Sequence, residues 1–142
     1  MRIVFTGEDI APVVLIGTDP NGGPEAVGPI GRMRVNGAWE IQPAPAVRAA
    51  AKAFHNRDNQ STELTFTARR EHESAAAARR FALTHAASMP TGNDHKLVIE
   101  DGDLRMQLTT ARLQSLTLDG EGVETLHTYT LVGGQLTEDL TL

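Results

Sequence analysis

The amino-acid sequence predicts a mainly β (α+β) protein, an antiparallel β-sandwich or barrel with one flanking α-helix over about 74–88. Three observations lead there. Short apolar stretches recur along the chain, several of them alternating with polar residues, and Gly, Asn and Asp punctuate them where tight turns would sit. One stretch, opening at Ser74, changes to helical period, and no other does so as clearly. One helix on an otherwise antiparallel chain of about eight to ten strands implies a small sandwich or barrel with the helix on a side or end. At 142 residues the chain suits a single domain, 1–142, with a real core.

The helix and the strand before it organise the rest. After a polar turn near Asn56, residues 63–68 alternate, with Leu64, Phe66 and Ala68 on one face and Glu63, Thr65 and Thr67 on the other. Ser74 can accept a hydrogen bond from a first-turn N–H, Glu71 and Glu73 lie at the positive end of the helix dipole, and Pro90 marks a point where the helix has stopped. At about 100° per residue, Ala77, Ala78, Phe81, Ala82 and His85 share the side that can cover a sheet. Arg79, Leu83 and Ala87 fall on the other side, with Arg80 flanking them. Leu83 is then either singly exposed among arginine stems or covered by a neighbouring subunit, which makes Arg79, Arg80, Leu83 and Ala87 candidate interface residues.

In order, the chain opens with strands expected at 2–6 and 12–16. The loop 17–31 follows, dense in Gly, Pro, Asp and Asn. Its composition predicts a segment that is mobile in an isolated subunit and ordered on assembly, and Asn21, Gly22, Gly23, Pro24 and Val27 join the candidate interface. No Gly-Lys-Ser/Thr ending makes it a phosphate loop. Strands at 32–35 and 38–42 are expected to form a hairpin about Asn36-Gly37, with Trp39 buried in the second. Pro43 and Pro45 break the sheet, and 46–54 suits a short helix or arm. Beyond the main helix, strands are expected at 96–100 and 104–108 about Asp101-Gly102, then at 112–118 and 123–132 about the longer turn 119–122. Residues 135–142 form a tail with weak strand character.

Composition narrows the function. No apolar run approaches the roughly 20 residues that span a bilayer, and the start MRIVFTGEDI lacks the features of a signal peptide, so a soluble protein without a membrane segment is expected. The absence of cysteine removes disulfides and thiolate metal sites. A net charge of -5 argues against a surface that grips nucleic acid, though not against one past which it slides. His55, His72, His85, His95 and His127 form no metal-ligand spacing. Ser115, Asp119 and His127 are triad residue types without a nucleophile elbow. The acidic groups at 100–103 and 119–124 read as solvated hairpin tips without calcium-loop spacing. No catalytic residue, cofactor or metal site is therefore expected; a small β-barrel binding module with a pocket near Trp39, or a hydrolase-type enzyme, are the alternatives.

The run Asn56-Arg57-x-Asn59, Leu64-x-Phe66, Arg69 or Arg70 with Glu71-His72, the Ala-rich helix with Phe81, His85 and Pro90, and Tyr129-x-Leu131-x-Gly133-Gly134 resembles small tail proteins of long-tailed bacteriophages and prophages. The resemblance covers roughly residues 56–134. It implies the tail-tube-like fold of tail-tube, distal-tail and tail-tip proteins, which stack as rings, commonly hexameric. It also implies a virion component, made in the host bacterial cytoplasm, whose partners are other copies of itself and neighbouring tail proteins. DNA would pass through the lumen unbound, and an acidic surface suits such a conduit because DNA carries about one negative charge per 1.7 Å of axis.

Overall fold

The computed structural model describes residues 1–7, 10–20, 22–37, 62–91 and 95–138. Their elements are β1 (Arg2–Gly7), β2 (Ile10–Ile16), β3 (Arg34–Gly37), β4 (Thr62–Glu71), α1 (Ala75–Ser88), β5 (His95–Asp101), β6 (Leu104–Glu121), β7 (Glu124–Gly133) and β8 (Leu136–Glu138). The strands pair in the order β2-β1-β5-β6-β7-β4-β3, with β8 added beside β6, and every pairing is antiparallel. The protein is thus mainly β with one helix among the described residues, as the sequence predicts. None of their helices is long and apolar enough to cross a membrane.

Alternation sets the register. In β4, Thr62, Leu64, Phe66, Ala68 and Arg70 are buried, and they pair with Gly133, Leu131, Tyr129, His127 and Thr125 of β7. A slip of one residue would turn Glu63 and Arg69 into the core, so the pairing is strongly specified. Leu64, Phe66, Tyr129 and Leu131 from this half meet Ile3, Phe5, Leu15, Leu97, Ile99 and Leu108 from the other half in one apolar core.

β6 joins the two halves. Its first part pairs with β5 and its second with β7. The strand carries irregularities where its partners change: Thr110 has φ 47°, and the register shifts between His95 and Leu97 and again between Leu113 and Ser115. Each extra residue flips which side chains face inward, and the inward set passes from Met106 and Leu108 to Ala111 and Leu113, then to Leu116 and Leu118. Gly133 fits against this bend because it has no side chain: a Cβ there would lie 2.5 Å from Leu108 Cγ and 2.7 Å from the Thr109 carbonyl.

The loop 17–31 is not free of its own domain. Gly17 and Ala26 exchange backbone hydrogen bonds, Val27 exchanges them with Arg69, and Ile30 N–H donates to the Thr67 carbonyl at 2.8 Å. Ala26 is buried, and a Cβ on Gly28 would meet the Thr67 carbonyl at 2.8 Å. Residues 26–30 therefore wall the gap between β2 and β4. The expectation of a wholly mobile loop is corrected: its backbone polar groups find partners on Gly17 and on β4, and this offsets the ordering entropy that composition alone leaves uncompensated.

Other boundaries shift for physical reasons. Asn36 and Gly37 pair with Glu63 and Thr62 as strand residues, so Asn36-Gly37 is not the expected hairpin turn. The turn after β5 centres on Gly102-Asp103, one residue later than expected, and the turn after β6 tightens to Gly122-Val123; Gly102 and Gly122 supply the positive φ at 61° and 62°. The strands expected at 104–108 and 112–118 are one bent strand. The expectations for 38–42 with Trp39, for 46–54 and for Asn56, Arg57 and Asn59 lie outside the described residues, as do Asn21 and 139–142.

Candidate functional site

Helix α1 starts where the sequence places it. Ser74, in extended conformation, accepts a hydrogen bond from Ala77 N–H at 3.1 Å, and the helix ends before buried Met89 and Pro90. Ala78 and His85 are buried, while Ala77, Phe81 and Ala82 are half-buried. Arg79, Arg80 and Ala87 are exposed, and Leu83 is 76% exposed. The predicted division of faces is the observed one.

Beneath the helix, the inner surface of β4 and β7 turns from apolar to polar. Arg70 donates to the Val14 carbonyl at 2.9 Å and, over a longer 3.4 Å, to the Tyr129 hydroxyl oxygen, with its guanidinium 4.8 Å above the Phe81 ring. Arginine has no acceptor, so the Tyr129 proton is left to point at His85 Nε2, 2.7 Å away. His85 is thereby the neutral Nδ1–H tautomer. Burial and then the Arg70 charge lower its pKa to about 4, with Asp19 opposing them. Burial raises the Tyr129 phenol, against the pull of Arg70.

A second chain runs from the core toward the surface. The Thr125 hydroxyl contacts His127 Nε2 at 2.7 Å and His72 Nε2 at 3.0 Å. Its single proton can serve one of them, so the other imidazole must donate to it. Donation from His127 Nε2–H is the cheaper arrangement: it leaves Nδ1, buried and with no partner among the described residues, as a bare acceptor rather than an orphaned N–H. Burial, then Arg70, His85 and His72, push the His127 pKa down to about 3; burial and Arg70 also lower His72. The rings of Phe81, His85, His127 and Tyr129 stack or meet edge-on at 5.2–6.2 Å.

His72 and Phe81 also line an open groove of about 700 Å³ between the start of α1 and the tip of the 17–31 loop, together with Gly23, Pro24, Glu71, Glu73, Ala77, Arg80 and Thr84. The structure thus brings Gly23, Pro24 and Arg80, expected at an interface, to one place. Gly22 is exposed at the same tip, and Val27, 46% exposed, sits on the flank of β4. Arg79, Leu83 and Ala87 face solvent along the helix. Sequence reasoning missed Arg70, Thr125 and Tyr129 as one network, although the strand alternation that buries Leu64 and Phe66 carries Arg70 inward too. Among the described residues no three His, Asp or Glu side chains converge on a metal site. Apart from His127 Nδ1, the network satisfies its buried polar groups, and it holds the helix on the sheet.

Against protein-family models, curated proteins and solved structures, the chain has no match.

Proposed function

We propose that the chain is a structural subunit of a long-tailed bacteriophage tail, without catalysis, assembling as a ring in the tail tube, distal tail or tail tip around the path of the DNA. The observation that carries this reading is the two-faced helix. One face is fixed to the sheet through Ala78, His85 and the Arg70–Tyr129 network. The other holds Leu83 in water at 76% exposure, between arginines and Ala87. A subunit contact would cover that apolar group and use the arginines. The antiparallel β fold with one helix agrees with the architecture that the resemblance of residues 56–134 implies. His85 and Tyr129, titratable groups within hydrogen-bond reach of each other, are buried beneath the helix rather than presented to a substrate.

Electron microscopy of the purified chain in negative stain, with sedimentation velocity, tests this: rings with a central channel are expected. Leu83→Asp should abolish them while leaving the circular dichroism spectrum unchanged, because that side chain is outside the core and a carboxylate at the apolar centre of the contact would be desolvated only in the assembly. A monomer at every concentration would overturn the reading.

A further inference from the structure

On the reading of the chain as a ring subunit, we infer that neighbouring copies meet head to tail, with the outer face of α1 on one copy seated on the β5–β6 turn of the next. Two patches on the chain are complementary in both charge and shape of pattern. The helix patch has exposed Leu83 beside Arg79 and Arg80. The turn patch has Leu104, 39% exposed, beside exposed Asp101 and Asp103. Neither arginine and neither aspartate is in an ion pair among the described residues, whereas the neighbouring Glu100 is held by Arg2 at 3.8 Å. An apolar centre flanked by unpaired charges of one sign on one patch, and of the other sign on its counterpart, is what steers and registers a contact.

On the ring reading the contact is heterologous, the helix of one copy on the turn of the next. β5 begins beside the C-terminal end of α1, where His95 Nε2 contacts the Thr91 carbonyl at 2.7 Å, and runs away from it for 7 residues, about 20 Å, to the turn. One subunit therefore does not satisfy its own patches, and copies placed helix to turn in succession, rather than reciprocally in a two-fold dimer, close into a ring or run on as a filament. The other acidic turn, Glu121 to Glu124 with exposed Val123, is a poorer counterpart. It lies beside the start of the helix on the same copy, where the His72 N–H donates to the Val123 carbonyl at 2.7 Å, and Glu124 already faces Arg69 at 3.9 Å.

The test is a charge swap in the full chain, read by sedimentation velocity and native mass spectrometry. Arg79→Glu with Arg80→Glu, and separately Asp101→Arg with Asp103→Arg, should each weaken self-association at least about 100-fold, because every contact then sets like charges together. All four side chains are exposed, so circular dichroism should stay that of the parent chain. Mixing the two variants should restore assembly, since each then offers the other an opposite charge, and the restored particles should alternate the two chains and hold even numbers of them. Glu121→Arg should assemble like the parent. Variants that assemble undiminished, or a mixture that stays dissociated while the parent forms rings, would overturn this contact and leave the ring reading standing. A parent chain that never assembles would remove both.

Discussion

Acidification from pH 7 to pH 5 should cost the fold about 2–4 kcal/mol, and His85 should account for about half of it. Burial and Arg70 hold His85 at a pKa of about 4 in the folded chain, against 6.5 when unfolded. At about 1.4 kcal/mol per pH unit the whole gap corresponds to about 3–4 kcal/mol. The sign follows from proton counts. Below 6.5 the unfolded chain takes up a proton that the folded chain refuses, so stability is full above 6.5, falls with pH, and stops falling near 4. Between pH 7 and 5 that is about 2 kcal/mol for His85, with a similar amount for His127, whose pKa of about 3 shares the Arg70 cause and so does not simply add. The structural event is the loss of the Tyr129 O–H to His85 Nε2 bond, because a protonated Nε2 accepts nothing. Urea denaturation at pH 7, 6 and 5 measures it, in a window above most carboxylate titration. His85→Gln keeps an acceptor for Tyr129 without titrating and should flatten about half of the slope. An unchanged slope in that variant, or equal stability of the parent chain at pH 7 and 5, would refute the reasoning.

Two further outcomes follow from close contacts. Gly133→Ala should destabilise by about 1–3 kcal/mol, seen as a lower urea midpoint at an unchanged m-value, since its Cβ would lie 2.5 Å from Leu108 Cγ and 2.7 Å from a carbonyl that cannot move without disturbing the β6 bend. In amide exchange on a monomeric sample, Ala26, Val27 and Ile30 should be protected by their partners on Gly17, Arg69 and Thr67, while Gly23 exchanges fast; deletion of residues 21–28 should accordingly lower the melting temperature, and an unchanged value would mean that the 26–30 wall contributes nothing.

What was legible in the sequence is what local chemistry decides. Ser74, the alternation of Leu64, Phe66 and Ala68, and the opposite placement of His85 and Leu83 each depend on neighbours within a few residues, and each is found as expected. β6 was not legible as one strand because its inward parity changes twice, at Thr110 and again between Leu113 and Ser115, and a changed parity looks like a break. Asn36-Gly37 has the composition of a turn, but pairing with Glu63 and Thr62 overrides the local preference. The 26–30 wall depends on contacts with β4 far along the chain, which composition cannot register. Of the expected interface residues, Arg80, Gly23 and Pro24 share one groove, a neighbourhood that follows from the 17–31 loop crossing to β4 beside the helix and not from any motif.

The polar end of the core explains why the helix can carry an exposed apolar face without losing its seat. An Ala-rich helix with only Ala78 and His85 fully buried gains little from hydrophobic burial alone. Its attachment is completed by directional contacts: the Tyr129 hydroxyl with His85, the Phe81 ring beneath Arg70, and the stacking of Phe81 on His85. Directional contacts fix rotation about the helix axis in a way that a smooth apolar stripe does not, because a small roll breaks the 2.7 Å bond while leaving apolar area nearly unchanged. The direction in which Arg79, Arg80 and Leu83 project is therefore set from the core side of the helix. It follows that Tyr129→Phe, which removes the bond and keeps the ring, should cost about 1–3 kcal/mol of stability and also loosen the helix, seen as faster amide exchange over 75–88 than over β4. Equal effects on helix and strands would mean that the network serves the fold as a whole and does not aim the helix.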